Sequence, residues 1–113
     1  MDNKVMETTA PVRERYKVIT ICGSTRFKTE IEHAQKLLDS QGYLVIGMYT
    51  FDHAEGLHMT DEMIDLHVKR HMQKIDMSDA IYVVNPGNYI GEFTRNEIEY
   101  AMKHGKEVMY MCT

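Results

Sequence analysis

The chain has 113 residues, which is enough for one sheet-centred domain and too few for two. Acidic residues outnumber basic ones by 17 to 13, and the net charge of −4 argues against a nucleic-acid polymer as partner, because binding phosphates along a polymer needs a basic face. No apolar run approaches the ~20 residues of a membrane span, and the N-terminal segment lacks the apolar core of a secretory signal. The two cysteines form no readable disulfide framework or zinc motif, so we expect a cytoplasmic protein.

The sequence pattern predicts alternating strands and helices after a polar segment. Residues 1–15 show no periodicity, and we expect them to form a flexible arm ahead of one domain at 16–113. The predicted elements are, in chain order, strand 16–22, helix 26–42, strand 43–48, helix 61–77, strand 80–85, helix 94–105 and strand 107–111. In the first helix the apolar spacing points Leu37 inward with its neighbours, and in the second it points Met63, Leu66, Met72 and Ile75 inward.

This alternation predicts an open parallel α/β sheet of about four strands with helices on both faces. Ligands bind such sheets at the carboxyl ends of the strands. Three loops should therefore surround any site: 22–27 ("CGSTRF"), 47–59 ("GMYTFDHAEGLHM") and 85–93 ("NPGNYIGEF").

The first of these loops has the chemistry of an anion site. Gly23 lets backbone approach a ligand, Ser24 and Thr25 offer hydroxyls, and Arg26 adds charge to the free N–H groups of a helix N-terminus. The loop is neither a GxGxxG nor a Walker sequence, so neither a dinucleotide nor a triphosphate is indicated. A tight turn with a Ser or Thr helix cap explains the same residues equally well.

Glu97 has two interpretations. Thr94 and Glu97 match the S/T-x-x-E capping box, in which the glutamate binds the N–H of the cap residue. Alternatively, a carboxylate in the first helical turn after the third strand faces the crevice, where the helix dipole would keep it ionised as a nucleophile must be. Glu99 points roughly 200° around the same helix and is most simply a solvated charge.

Histidine and aromatic residues also fall near the predicted crevice. His67 and His71 are one helical turn apart, but no fixed ligand set such as HExxH is present, so we expect surface histidines and no metal site. Aromatic residues in the loops suit either stacking on a planar ring or packing as a lid, and these are Tyr49, Phe51, Tyr89 and Phe93.

Three stretches, "ITICGSTR" (19–26), "IDMSDAIYVVNPG" (75–87) and "YIGEFTRNEIEYAMKHGKEV" (89–108), resemble the nucleoside 2-deoxyribosyltransferase superfamily, which includes deoxynucleoside monophosphate N-glycosidases. The resemblance implies a flavodoxin-like or Rossmann-like three-layer sandwich, commonly dimeric. It also implies a transferase or hydrolase that cleaves an N-glycosidic bond by covalent catalysis without a cofactor.

Carried over by motif, the resemblance makes Glu97 the nucleophile. It assigns the sugar's 5′ end or its phosphate to Gly23, Ser24, Thr25 and Arg26, and the sugar pocket to Asn85, Gly87 and Gly91. Tyr49, Asp52 and His71 are candidates for protonating the leaving base.

The chain departs from the family at several positions. Thr20 stands where many members have a tyrosine that orients the nucleophile, and His71 stands where an aspartate acts towards the base. Glu99 replaces a small glycine, and a fifth strand with a C-terminal segment is not seen.

From these features we expect cleavage of a nucleoside or nucleoside 5′-monophosphate, with hydrolysis favoured over transfer between bases. The alternative is a non-catalytic nucleotide-binding or sensing module. A homodimer that buries the second helix is also expected.

Overall fold

The computed structural model describes residues 15–48 and 59–113. Its elements are β1 (Val18–Gly23), α1 (Lys28–Ser40), β2 (Leu44–Ile46), α2 (Asp61–Asp76), β3 (Ala80–Val84), α3 (Glu92–Lys103) and β4 (Glu107–Tyr110), with short 3₁₀ turns at Thr25–Phe27 and Pro86–Asn88. All strand pairs are parallel, in the order β2-β1-β3-β4. The predicted parallel α/β sandwich is confirmed. The predicted arm at 1–15 lies outside the described residues except for Arg15.

Two apolar clusters cover the two faces of the sheet. Alternate β1 residues Ile19 and Ile21 pack against α1, where Ile31 and Leu38 are almost fully buried. Burying each such side chain contributes about 1.5–3 kcal/mol, so this layer holds α1 firmly to the sheet. On the opposite face, α2 and α3 cover the sheet through a second cluster made of Cys22, Ile75, Ile81, Val83, Ile98 and Ala101.

The strand order creates a crevice at the carboxyl end of β1. β1 pairs with β2 on one side and with β3 on the other, so α1 leaves towards one face while α2 and α3 pack on the other. The register places Gly23 opposite Val84 at the ends of these two central strands. Such a reversal of strand order is where ligands bind in open α/β sheets.

Helix α2 begins as predicted but presents a different face to the sheet. The Thr60 hydroxyl accepts a hydrogen bond from the Met63 N–H at 3.2 Å, which satisfies a free donor of the first turn. Met63 and Leu66, predicted to point inward, are 49% and 48% exposed. Met72 and Ile75 do pack inward as predicted. The first half of the inward stripe instead runs through Ile64, Val68 and His71. Leu37 of α1 is likewise exposed rather than inward.

Within the ranges that the structure describes, no helix combines the length and the apolar character required to cross a membrane.

Candidate active site

A pocket of about 480 Å³ lies at the carboxyl end of β1, between the following loop and the facing sides of α2 and α3. This is the position that the parallel topology predicts for a ligand. The predicted anion site contributes residues 23–26 to the lining, and Glu97 also lines the pocket. The other described lining residues are Met48, Met59, Ile64, His67, Val68, His71, Tyr89, Gly91, Glu92, Phe93 and Thr94.

The anion loop combines a helix cap with an exposed cation. The Ser24 hydroxyl accepts a hydrogen bond from the Arg26 N–H at 3.4 Å, as the cap interpretation predicts. The Arg26 guanidinium lies 4.4 Å from the centroid of the Tyr89 ring, and that ring meets Phe27 edge-on. The cap and the pocket lining therefore coexist, with Arg26 held over an aromatic ring at the pocket wall.

Gly23 is required by packing as well as by the pocket. A Cβ at this position would lie 3.0 Å from the Val84 carbonyl oxygen and 3.2 Å from the Val84 Cβ. These atoms belong to the paired strand and have little freedom to move. A side chain at this position would therefore force β1 and β3 apart by a few tenths of an ångström at the edge of the pocket.

The capping interpretation of Glu97 is wrong. Helix α3 begins at Glu92, two residues before the predicted start, and its N-cap is Gly91. Thr94 is therefore inside the helix and buried, so it cannot serve as the cap residue. Glu97 lies in the second turn rather than the predicted first turn, and it points into the interior between α2 and α3, where it lines the pocket.

The environment of Glu97 favours its protonated form. Its side chain is 14% exposed, and burial raises the pKa of the carboxyl to about 7, while a hydrogen bond from Cys22 acts in the opposite direction. At neutral pH the Glu97 carboxyl is therefore only partly ionised, rather than held ionised by the helix dipole as expected. Desolvation outweighs the dipole because Glu97 sits beyond the first turn, where the dipole acts most strongly.

His71 lies beside Glu97 and is buried, which corrects its expected place at the surface. Its Nε2 is 3.5 Å from the Glu97 Oε2 and 3.3 Å from the Cys22 Sγ. Burial, followed by the nearby positive charges of Lys74 and His67, lowers the pKa of His71 to about 4. His71 is therefore a neutral imidazole at neutral pH, and its contact with Glu97 is not an ion pair there.

Cys22 is the site residue that sequence reasoning missed. The Thr20 hydroxyl donates to the Lys74 carbonyl and bonds to Ser78, away from Glu97. Cys22 lies two residues further along the same strand face and is the β1 side chain that reaches His71 and Glu97. Two features of the sequence could have indicated Cys22: strand alternation places it on this face of the sheet, and it lies at the carboxyl end of β1.

Cys22, His71 and Glu97 each offer one ligand atom, and these atoms lie within 4.8 Å of one another. All three side chains are mostly or fully buried. The prediction of no metal site depended on motifs with fixed ligand spacing. Such motifs do not include these three residues, because they come from three separate elements.

Asn85 and Gly87, predicted to line the sugar pocket, are not among its lining residues. The Asn85 side chain instead exchanges two hydrogen bonds with the backbone of Cys112, at 2.9 and 3.0 Å. Gly87 adopts a positive φ of 62° in the exposed turn after β3. Both shape the turn that leads to α3. Tyr49 lies outside the described residues, whereas Gly91 lines the pocket as predicted.

No model of a known protein family matches the chain, and no curated protein matches it.

Proposed function

We propose that this protein cleaves the N-glycosidic bond of a nucleoside 5′-monophosphate, with Glu97 as the nucleophile. The observation that supports this most strongly is that one pocket is lined both by Glu97 and by the loop from Gly23 to Arg26. A carboxyl group and an anion-binding loop across one cavity suit a substrate whose reacting carbon and phosphate lie a sugar's length apart.

The phosphate end of the substrate is assigned to the loop. The hydroxyls of Ser24 and Thr25 and the exposed guanidinium of Arg26 favour a dianion there. Binding energy from this end of the substrate is available to orient C1′ over Glu97, because the phosphate takes no part in the bond change.

At the other end, the ionised Glu97 attacks C1′ as the bond to the base breaks. The base leaves with the bonding electron pair and gains a proton, and a glycosyl ester forms on Glu97. Water then attacks C1′ from the face opposite Glu97 and loses a proton to solvent, which releases the sugar phosphate and restores the carboxylate. His71, neutral and 3.5 Å away, packs beside the carboxyl.

The proton for the leaving base does not come from His71 in this scheme. With a pKa of about 4, His71 is a neutral imidazole at neutral pH and lacks the acidic imidazolium proton that a general acid donates. The other two predicted donors, Tyr49 and Asp52, lie outside the described residues.

A non-catalytic nucleotide-binding or sensing module is the second candidate. The specific observation in its favour is the pKa of Glu97 at about 7, which leaves much of the nucleophile protonated at neutral pH. Such a module would use the same pocket and the same phosphate loop, but it would release no base.

Base release from a panel of substrates tests the two candidates. Purified protein is incubated at about pH 8 with ribo- and deoxyribonucleosides and their 5′-monophosphates, and free base is measured by chromatography. We expect release from monophosphates, its loss in Glu97→Gln, and no change in Glu99→Gln, which alters an exposed carboxylate on the same helix. Equal rates in wild type and Glu97→Gln would remove Glu97 from the mechanism. Thermal stabilisation by a monophosphate without any base release would select the binding module.

A cytoplasmic homodimer is part of the same proposal. Met63 and Leu66 expose about half of their surface on α2, which supports this helix as the contact between two copies. Analytical ultracentrifugation of wild type and a Met63→Lys/Leu66→Lys variant measures the association. A dimeric variant would contradict the proposed interface.

A further inference from the structure

We propose that Cys22, His71 and Glu97 together bind Zn²⁺ or a similar thiol-seeking divalent cation. The three side chains come from β1, α2 and α3, and their ligand atoms converge within 4.8 Å at the inner wall of the pocket. They supply one sulfur, one nitrogen and one oxygen, each from a residue type that coordinates zinc in proteins.

Two of the three spacings between these atoms fit a tetrahedral ion. Zinc bonds of about 2.0–2.3 Å at tetrahedral angles separate neighbouring ligand atoms by about 3.3–3.8 Å. The Cys22 Sγ lies 3.3 Å from the His71 Nε2, and that nitrogen lies 3.5 Å from the Glu97 Oε2. The Cys22 Sγ and the Glu97 oxygen lie within 4.8 Å of each other, so a cation placed between the three atoms draws these two side chains together by up to about 1 Å.

The donor set selects the kind of cation. A thiolate ligand favours Zn²⁺ or Co²⁺ over Mg²⁺ and Ca²⁺, which prefer oxygen ligands and higher coordination numbers. Binding replaces the thiol proton of Cys22, and the carboxyl proton of Glu97 where it is present, and both protons pass to solvent. The positive charge of the cation offsets the cost of burying the thiolate and the carboxylate in this interior.

Three protein ligands leave a fourth coordination position. His71 and Glu97 line the pocket, whereas Cys22 is fully buried behind them, so the fourth position faces the cavity. Bound zinc would occupy the oxygen of Glu97 that the glycosidic reaction needs, and it would therefore inhibit that reaction. This consequence rests on the proposed function, but the binding of the cation does not.

Cobalt substitution tests the binding directly, because a thiolate bound to Co²⁺ gives a sulfur-to-metal charge-transfer band in the near ultraviolet. The chain has two cysteines, which gives a matched pair of variants. We expect the band in wild type and in Cys112→Ser, where Cys22 is the remaining thiol, and its loss in Cys22→Ser. We also expect Zn²⁺ to remove the band by displacing Co²⁺, and Mg²⁺ to leave it unchanged.

The Cys112→Ser variant tests the cation site even if Cys22→Ser does not fold. Cys112→Ser leaves the cluster intact, so the absence of a band in that protein would overturn the proposal whatever happens to Cys22→Ser. Circular dichroism checks that Cys22→Ser is folded, and a band that persists in the folded variant would equally overturn it.

Measurements of base release with and without Zn²⁺ separate cation binding from glycosidic activity. If monophosphates are cleaved, we expect stoichiometric Zn²⁺ to stop base release and a chelator to restore it. Full activity in protein shown to hold one Zn²⁺ at Cys22 would overturn the assignment of Glu97 as a ligand. Cobalt binding in a protein that releases no base with chelator present would leave the cation site standing and remove the glycosidic function.

Discussion

The Glu97 carboxyl and the His71 imidazole meet in the interior between α2 and α3, with 3.5 Å between Oε2 and Nε2. Burial acts on both groups in favour of the neutral form, and it therefore moves their pKa values in opposite directions, to about 7 and about 4. Between about pH 4 and pH 7 the Glu97 carboxyl is therefore mostly protonated and the His71 imidazole is neutral. The acidic residue is thus the group that titrates near neutral pH.

The rate of base release should rise with pH through about 7. Only the ionised carboxylate attacks C1′, and its fraction grows roughly tenfold between about pH 6 and pH 8 when the pKa is near 7. Initial rates at subsaturating substrate, measured across this range with a chelator present, report this ionisation.

The substrate phosphate also titrates, near pH 6, so the profile needs a control. Repeating the measurement with the corresponding nucleoside, which lacks that group, should give the same midpoint at a lower rate. A rate that is flat from about pH 5.5 to pH 8.5 would show that Glu97 is not the nucleophile.

Replacing Glu97 by glutamine should stabilise the fold in alkaline solution more than in acid. Between the ordinary value of 4.5 and the folded-state pKa of about 7, the unfolded chain has lost a proton that the folded chain keeps, so stability falls as pH rises through this window. Above pH 7 the ionisation of Glu97 lowers the free energy of unfolding by its full amount, about 3 kcal/mol. Glutamine does not ionise, so the variant does not lose this stability.

Urea denaturation of both proteins at about pH 5.5 and pH 8 isolates this effect, because the contribution of His71 is common to both. We expect the variant's advantage in free energy of unfolding to be about 2 kcal/mol larger at pH 8. An advantage that does not depend on pH would place the ionisation of Glu97 near its ordinary value.

The strands were predictable from sequence because each is a short apolar run beside a turn signal. The orientation of α2 was predictable only in its second half, where Ile75 is buried as expected, because the first half offers two apolar stripes and packing selects the one that continues to His71. The predicted start of α3 was also wrong, because Thr94 matches the sequence pattern of an N-cap whereas the actual N-cap is Gly91. The cluster around Glu97 depends on contacts between three elements, which a linear pattern does not encode.

Asn85 should contribute to stability rather than to substrate binding. Its side chain donates to the Cys112 carbonyl and accepts from the Cys112 N–H, which fixes the segment after β4 to the end of β3. Asn85→Ala leaves these backbone groups without their partner and should lower the free energy of unfolding by about 1–3 kcal/mol. Asn96→Ala, at an exposed position of α3, should change it by less than about 0.5 kcal/mol. Equal losses in the two variants would contradict this role.

Gly23→Ala should destabilise the protein through its contact with β3. The added methyl would lie against the Val84 carbonyl, and overpacking of this kind costs about 1–3 kcal/mol. Gly47→Ala is the matched control, because its Cβ would meet only the end of the flexible Gln35 side chain, which can move away. Denaturant midpoints compare the two, and an unchanged midpoint for Gly23→Ala would show that the strands separate there at little cost.

Arg26 should distinguish a monophosphate from its nucleoside. Its exposed guanidinium lies over Tyr89 at the pocket wall, so Arg26→Ala removes a full charge from the proposed phosphate end. We expect affinity for a 5′-monophosphate to fall about tenfold, with little change for the nucleoside, because a hydrogen bond to a charged group contributes about 1.5–3 kcal/mol before exposure weakens it. Calorimetric titrations of wild type, Arg26→Ala and Arg95→Ala measure this, the last removing an exposed charge on α3 away from the pocket lining. Equal weakening of both ligands by Arg26→Ala would mean that the residue acts through its packing on Tyr89 rather than through the phosphate.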